Sequence, residues 1–120
     1  MITSYKDLIV WQKSLDLSIQ VYKLTKEFPK EEIYGLTSQA RRAVVSIPSN
    51  IAEGYGRHRR LEYIQFLLIA YASGSELETQ LLIARKLEYV NEEDFIRVNG
   101  LLQEVMKMLN TLISKLKSSA

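Results

Sequence analysis

Phe95, Val98, Leu102, Val105, Leu109, Leu112 and Leu116 recur at steps of three and four residues. Only an α-helix turns such a series to one side, and a seam sustained over about three heptads needs neighbouring helices to cover it. Asn91 stands ahead of the seam as an N-cap, with Glu92, Glu93 and Asp94 in the first turn and Lys115 and Lys117 near the far end. Each charge has the sign that suits its end of a helix. Gly100 within the seam implies a close neighbour, since glycine is otherwise unfavourable there.

The same period runs through nearly the whole chain. A first helix is expected over residues 6–28, stopped by Pro29. It carries two apolar stripes: Leu8, Trp11, Leu15 and Tyr22, and beside them Val10, Leu17, Val21 and Leu24. A second is expected over 31–55, with Ile33, Leu36, Ala40, Ala43, Ile47 and Ile51 inward. A third runs over 59–87, where Leu67, Ala70, Gly74, Leu77, Leu81 and Ala84 mix large and small residues and let a partner backbone approach. The C-terminal seam gives a fourth, over 91–117. The connections are short, so consecutive helices must run antiparallel. The expected fold is all-α: one domain, an up-down-up-down four-helix bundle over residues 1–120, without linker or repeat.

Composition removes several classes of function. There is no cysteine and one histidine, His58. Disulfide frameworks, zinc fingers, iron–sulfur clusters and thiol catalysis are excluded, and a di-metal bundle lacks its Glu-x-x-His pairs. Gly54-Tyr55-Gly56 is a lone G-x-G after a helix, so it carries no nucleotide-binding signal. Glu76 and Glu78 fall on different helix faces, which suits one interhelical ion pair and one solvated residue. No enzyme, cofactor or metal is expected. The most membrane-like run, residues 62–76, falls short of the ~20 apolar residues that a span requires. The N-terminus has no apolar stretch of signal-peptide length. A cytoplasmic location, without membrane attachment, is the expectation.

Two features point outward. Trp11, Tyr5, Tyr22, Tyr34, Tyr63, Tyr71 and Tyr89 cannot all enter one small core, and a second apolar stripe on the first helix would be buried by self-association. The formal net charge is only +2, yet Arg41, Arg42, Arg57, Arg59 and Arg60 fall within 20 residues, with Glu53 the only acid among them. Guanidinium forks suit phosphate, and Tyr55 and Tyr63 flank the cluster as stacking platforms for unpaired bases. Ion pairs across the bundle are the competing use of these arginines. Lys107, Lys115 and Lys117 would extend a basic face.

Residues 46–54 read Ser-Ile-Pro-Ser-Asn-Ile-Ala-Glu-Gly inside the second helix. Pro48 frees the carbonyl of Val44, and Ser46, Ser49 and Asn50 are candidate partners for such freed groups. Either the kink aims the arginines at a partner, or a polar network packs around a defect.

The pattern R-R-A-x-x-S-I-P-x-N-I-A-E-G, from Arg41 to Gly54, resembles the signature of the 23S ribosomal RNA intervening-sequence proteins. Leu8 to Lys13, Tyr34-Gly35-Leu36, Glu62 to Leu67 and Gly74 to Thr79 extend the resemblance. It implies a left-handed antiparallel bundle, with Ser46, Pro48, Asn50, Glu53 and Gly54 as mainly structural residues. The family is similar to the accessory proteins of diversity-generating retroelements, which form homopentamers with a basic surface and bind nucleic acid and a reverse transcriptase. By that resemblance this chain is a homopentameric RNA- or DNA-binding accessory protein, Arg41, Arg42, Arg57, Arg59 and Arg60 being the candidate contacts. A scaffold that binds a protein partner without nucleic acid is the alternative.

Overall fold

The computed structural model describes residues 1–119. Four α-helices carry almost all of it: α1 Ile9–Thr25, α2 Leu36–Gly56, α3 Arg60–Lys86 and α4 Glu92–Ser118, with no strand among the described residues. Contacts along each neighbouring pair fix the directions. Arg41 meets Thr25, and Ser18 lies against Val44, so α1 and α2 run oppositely. Gly54 lies against Phe66 while Ser73 bonds Ser46. Arg85 pairs with Glu92 at one end of α3–α4, and Arg60 reaches Leu116 at the other. Lys13 with Glu104 and Gln20 with Arg97 close the ring of four between α1 and α4. The bundle is up-down-up-down: close backbone approach occurs between neighbouring helices and not across the diagonals α1–α3 and α2–α4.

Leu17, Val21, Ile47, Ile51, Leu67, Leu77, Leu81, Leu102 and Leu109 are fully shut from solvent and form one core. The C-terminal seam packs as expected, and Asn91 caps α4 by accepting from Asp94 N–H at 2.8 Å. Asn91→Ala should lower stability by about 1 kcal/mol in urea unfolding, with an unchanged slope.

The first two helices begin later than the periodicity suggests. Residues 5–7 form a separate 3-10 turn, because Asp7 Oδ2 accepts the Thr3 and Ser4 N–H groups while Ser4 Oγ accepts from Lys6 N–H. These bonds hold the Asp7 carboxyl below its usual range, the Thr3 N–H being the largest cause. Leu8 then turns extended before α1 starts. At the other end α1 stops at Thr25, three residues before Phe28. Residues 30–32 form a second 3-10 turn, so α2 starts at Leu36 rather than at 31. Glu32 causes the delay: its Oε1 accepts the Leu36 N–H at 3.1 Å and its Oε2 the Tyr89 hydroxyl at 2.9 Å. The Glu32 bond raises the Tyr89 pKa. Ile33, expected inward, is consequently 55% exposed.

Helix α2 continues through Pro48. The freed Val44 carbonyl faces α1, where the Ser18 hydroxyl lies 3.4 Å away while donating to Ser14 O at 2.9 Å. The expected partners do something else. Asn50 Nδ2 donates to Ser46 O and Oγ, Ser73 of α3 donates to Ser46 Oγ at 2.8 Å, and Ser49 is exposed. This is a polar tie between α2 and α3.

The glycines divide. A Cβ on Gly54 would stand 2.6 Å from Phe66 Cβ, so this position sets how closely α2 and α3 approach. Over Gly74 lies the flexible Met106 side chain of α4 rather than the partner backbone expected there. A Cβ on Gly100 would meet nothing within 4 Å, so the neighbour expected there does not exist.

Of the two stripes on α1, Val10, Leu17, Val21 and Leu24 enter the core. Of the other, Leu8 and Trp11 are half-buried against the core, while Leu15 and Tyr22 stay outside. Trp11, Leu15, Ile19 and Tyr22 join Val45 and Pro48 of α2 in an apolar groove of about 510 Å³. Leu15 is 44% exposed and Tyr22 40%, so much of this stripe is left in water.

Candidate nucleic-acid interface

Contiguity along a helix is also distance. Arg42 lies in α2 and Arg57 just past its end, and a rise of 1.5 Å per residue separates them by roughly 22 Å. The five arginines that crowd together in the sequence therefore occupy two places, and the structure does not bring them into one cluster. Arg41 is held inside the α1–α2 contact. Its Nε donates to Thr25 Oγ1 at 2.8 Å, Nη2 reaches Tyr22 O at 3.3 Å, and the guanidinium lies 4.6 Å from the Tyr22 ring centre. Arg41 is a structural residue here. Arg42 points away into a separate cleft between α2 and α3.

Arg57, Arg59 and Arg60 gather at the α2–α3 turn. His58 makes the reversal with φ of 58°, the left-handed region, at the position just past the end of α2. Arg57 pairs with Glu53, four residues before it, at 3.2 Å and stands 3.9 Å from Glu62. Its guanidinium also lies 5.0 Å from the Phe66 ring centre. Arg59 Nε lies 3.6 Å from Glu62, with its side chain 81% exposed. Arg60 Nη1 donates to Leu116 O at 3.3 Å, tying the start of α3 to the last turn of α4. That contact brings Lys115 and Lys117 to the same end of the bundle, while Glu53 and Glu62 are the acids facing the arginines. Exposed ion pairs of this kind are worth under ~1 kcal/mol each. They hold the forks in place without competing strongly against a phosphate.

The flanking aromatics differ from expectation. Tyr63 is a packing residue: it lies against Gly54 and meets Tyr55 edge-on at 6.0 Å, and burial pushes its phenol up to about 12. Tyr55 is half-buried and also meets His58 edge-on. Lys107 is drawn away from the arginines and flanks, with Lys115, an apolar groove between α1 and α4 lined by Leu8, Ile9, Met108 and Leu112.

Glu78 accepts from Gln103 Nε2 of α4 at 2.5 Å, an interhelical hydrogen bond rather than the ion pair expected of one of the two glutamates. Glu76 instead lines the cleft that holds Arg42. That cleft, with Ser46 and Ser73 at its base, was not apparent in the sequence. Its signal is present there as two polar stripes at helical spacing, Gln39–Arg42–Ser46 on α2 and Ser73–Glu76–Gln80 on α3. Among the described residues no three of His, Asp and Glu come together as a metal-binding group. Nor is any described helix long and apolar enough to cross a membrane.

A family model for the 23S rRNA-intervening sequence protein matches residues 6–111. No curated protein matches the chain. Among solved structures, a protein of unknown function from the S23 ribosomal protein family of Bacteroides thetaiotaomicron is similar, with 27% identity and a TM-score of 0.79. The likeness covers 88% of this chain and 98% of that one.

Proposed function

The chain belongs to the 23S rRNA-intervening sequence protein family, and from that premise we propose that it is a non-enzymatic, self-associating accessory protein of the cytoplasm that binds RNA or DNA through the α2–α3 end of its bundle. The observation carrying this reading is the gathering of Arg57, Arg59 and Arg60 with the lysines of the α4 terminus at one end. Arginine forks on a rigid helical turn are suited to a phosphate backbone and need no base sequence. Arg41 has no part in that contact.

Self-association is supported by two unlike apolar surfaces. One is the α1–α2 groove. The other is on α3, where Leu61, Leu68 and Leu82 stand 42–68% exposed. The groove is built by α1 with α2 and the exposed leucines stand on α3, so the two surfaces are distinct. A contact between unlike surfaces is heterologous, and closes into a ring when the rotation permits. The homopentamer implied by resemblance is a ring of that type.

The groove also favours a second reading, a scaffold that seats a protein partner there and does not bind nucleic acid. Retention of labelled single-stranded RNA and duplex DNA at low and moderate salt separates the two. Binding should weaken with salt, with a log–log slope of about −0.7 per phosphate neutralised on single strands. Arg59→Ala with Arg60→Ala should make that slope shallower by roughly one to one and a half and lower affinity on every sequence alike. Wild-type protein that retains neither nucleic acid at low salt would leave the scaffold.

A further inference from the structure

The cleft between α2 and α3 holds an unusual set of unanswered groups. Six of the seven arginines have a hydrogen-bond or ion-pair partner; Arg42 has none among the described residues. Glu76, on the opposite wall, has none either, and although both line one cleft of about 550 Å³ they do not come within the 4 Å of an ion pair. Gln80, on the same wall as Glu76, also lines the cleft, but its Oε1 is shut from solvent and so out of reach of an occupant. The hydroxyls at the base are already committed, Ser73 to Ser46 and Ser46 to Asn50. Tyr34, at the rim, is 95% exposed.

We propose that this cleft binds a guanine base, presented unpaired by the nucleic acid; the proposal rests on the nucleic-acid reading above. The occupant must offer acceptors to a guanidinium fork, donors to a carboxylate, and a flat face to a tyrosine ring. Guanine does all three. Its O6 and N7 accept the fork of Arg42, and its N1–H and N2–H groups, on the other edge, donate to the two carboxylate oxygens of Glu76. Adenine fails because its N6 amino group stands beside N7, where the guanidinium also needs to donate. Cytosine and uracil lack the fused ring that carries N7. The base must be unpaired, because pairing occupies the edge that faces Glu76. Tyr34 supplies the stacking surface, which is indifferent to base identity.

The test compares a five-nucleotide single-stranded RNA of adenines carrying one central guanine with the all-adenine strand, by fluorescence anisotropy at low salt. The guanine strand should bind about tenfold more tightly, as one well-formed bidentate contact discriminates by that order. Arg42→Ala and Glu76→Gln should each abolish the preference and leave all-adenine affinity in place; Arg42 is exposed and unpaired, so the fold does not depend on it. Arg59→Ala with Arg60→Ala should weaken both strands equally. Equal binding of the two strands by the wild type, or a preference that survives both cleft variants, overturns the proposal. If neither strand binds, the nucleic-acid reading fails, and guanosine, which carries no phosphate, decides the cleft alone: binding lost in Arg42→Ala upholds the base site, and no binding, or binding that survives Arg42→Ala, overturns it.

Discussion

Gly54→Ala should destabilise the protein by about 1–3 kcal/mol, even though alanine is the better helix former by roughly 1 kcal/mol. The added Cβ would lie 2.6 Å from Phe66 Cβ, 3.1 Å from Tyr63 Cδ1 and 3.3 Å from Tyr63 O. A Cβ and a carbonyl are fixed to the backbone of α3 and cannot swing aside as a side-chain terminus does. The whole α2–α3 contact must open, at the point where both helices enter their turn. The cost should appear as a fall in Tm of about 3–6 °C per kcal/mol for a chain of this size. Gly100→Ala is the internal control. It meets nothing within 4 Å, so helix propensity alone operates and stability should rise by up to ~1 kcal/mol. Thermal unfolding of both variants in one buffer checks the sign of each. If both substitutions stabilise, Gly54 is not at a close crossing.

The second large effect concerns assembly. Leu15→Glu with Ile19→Glu should convert a self-associated protein to monomer in sedimentation or light scattering, with the helical circular dichroism retained. Both residues line the α1–α2 groove and are 44% and 51% exposed, so in the isolated bundle their replacement removes little core packing. In an assembly they would be shut from water, and a buried unpaired carboxylate is costly enough to disfavour association by several kcal/mol. A double variant that keeps the wild-type mass would remove the groove from the interface. Salt-sensitive RNA retention measured on the monomer then shows whether the basic end needs its copies.

Much of the fold was legible because apolar spacing is a direct readout of which side of a helix is covered. The seam from Phe95 to Leu116, the caps of α4 and the two stripes of α1 all follow from that period. Helix starts were less legible, because Asp7 and Glu32 decide them with side-chain acceptors, and neither carboxylate interrupts the apolar pattern. Glycine was illegible at both Gly74 and Gly100, since the residue looks the same in the sequence whether a backbone, a flexible side chain or water lies over it. The arginine cluster misled for a geometric reason: five cations in 20 residues of helix and turn are spread along the bundle, and Arg41 finds its partners in Thr25 and Tyr22. The cleft of Arg42 required knowing which faces of α2 and α3 meet, which no single helix reveals.

The antiparallel order has an electrostatic consequence. Every helix carries a macrodipole with about half a positive charge at its start and half a negative charge at its finish. At the arginine-rich end two helices start, α1 and α3, and two finish, α2 and α4. Their backbone fields cancel in pairs, so the scaffold contributes almost no potential of its own there. The field that a passing phosphate meets belongs to the side chains, and it can be raised, erased or inverted by substitution at exposed positions while the helices beneath keep their places.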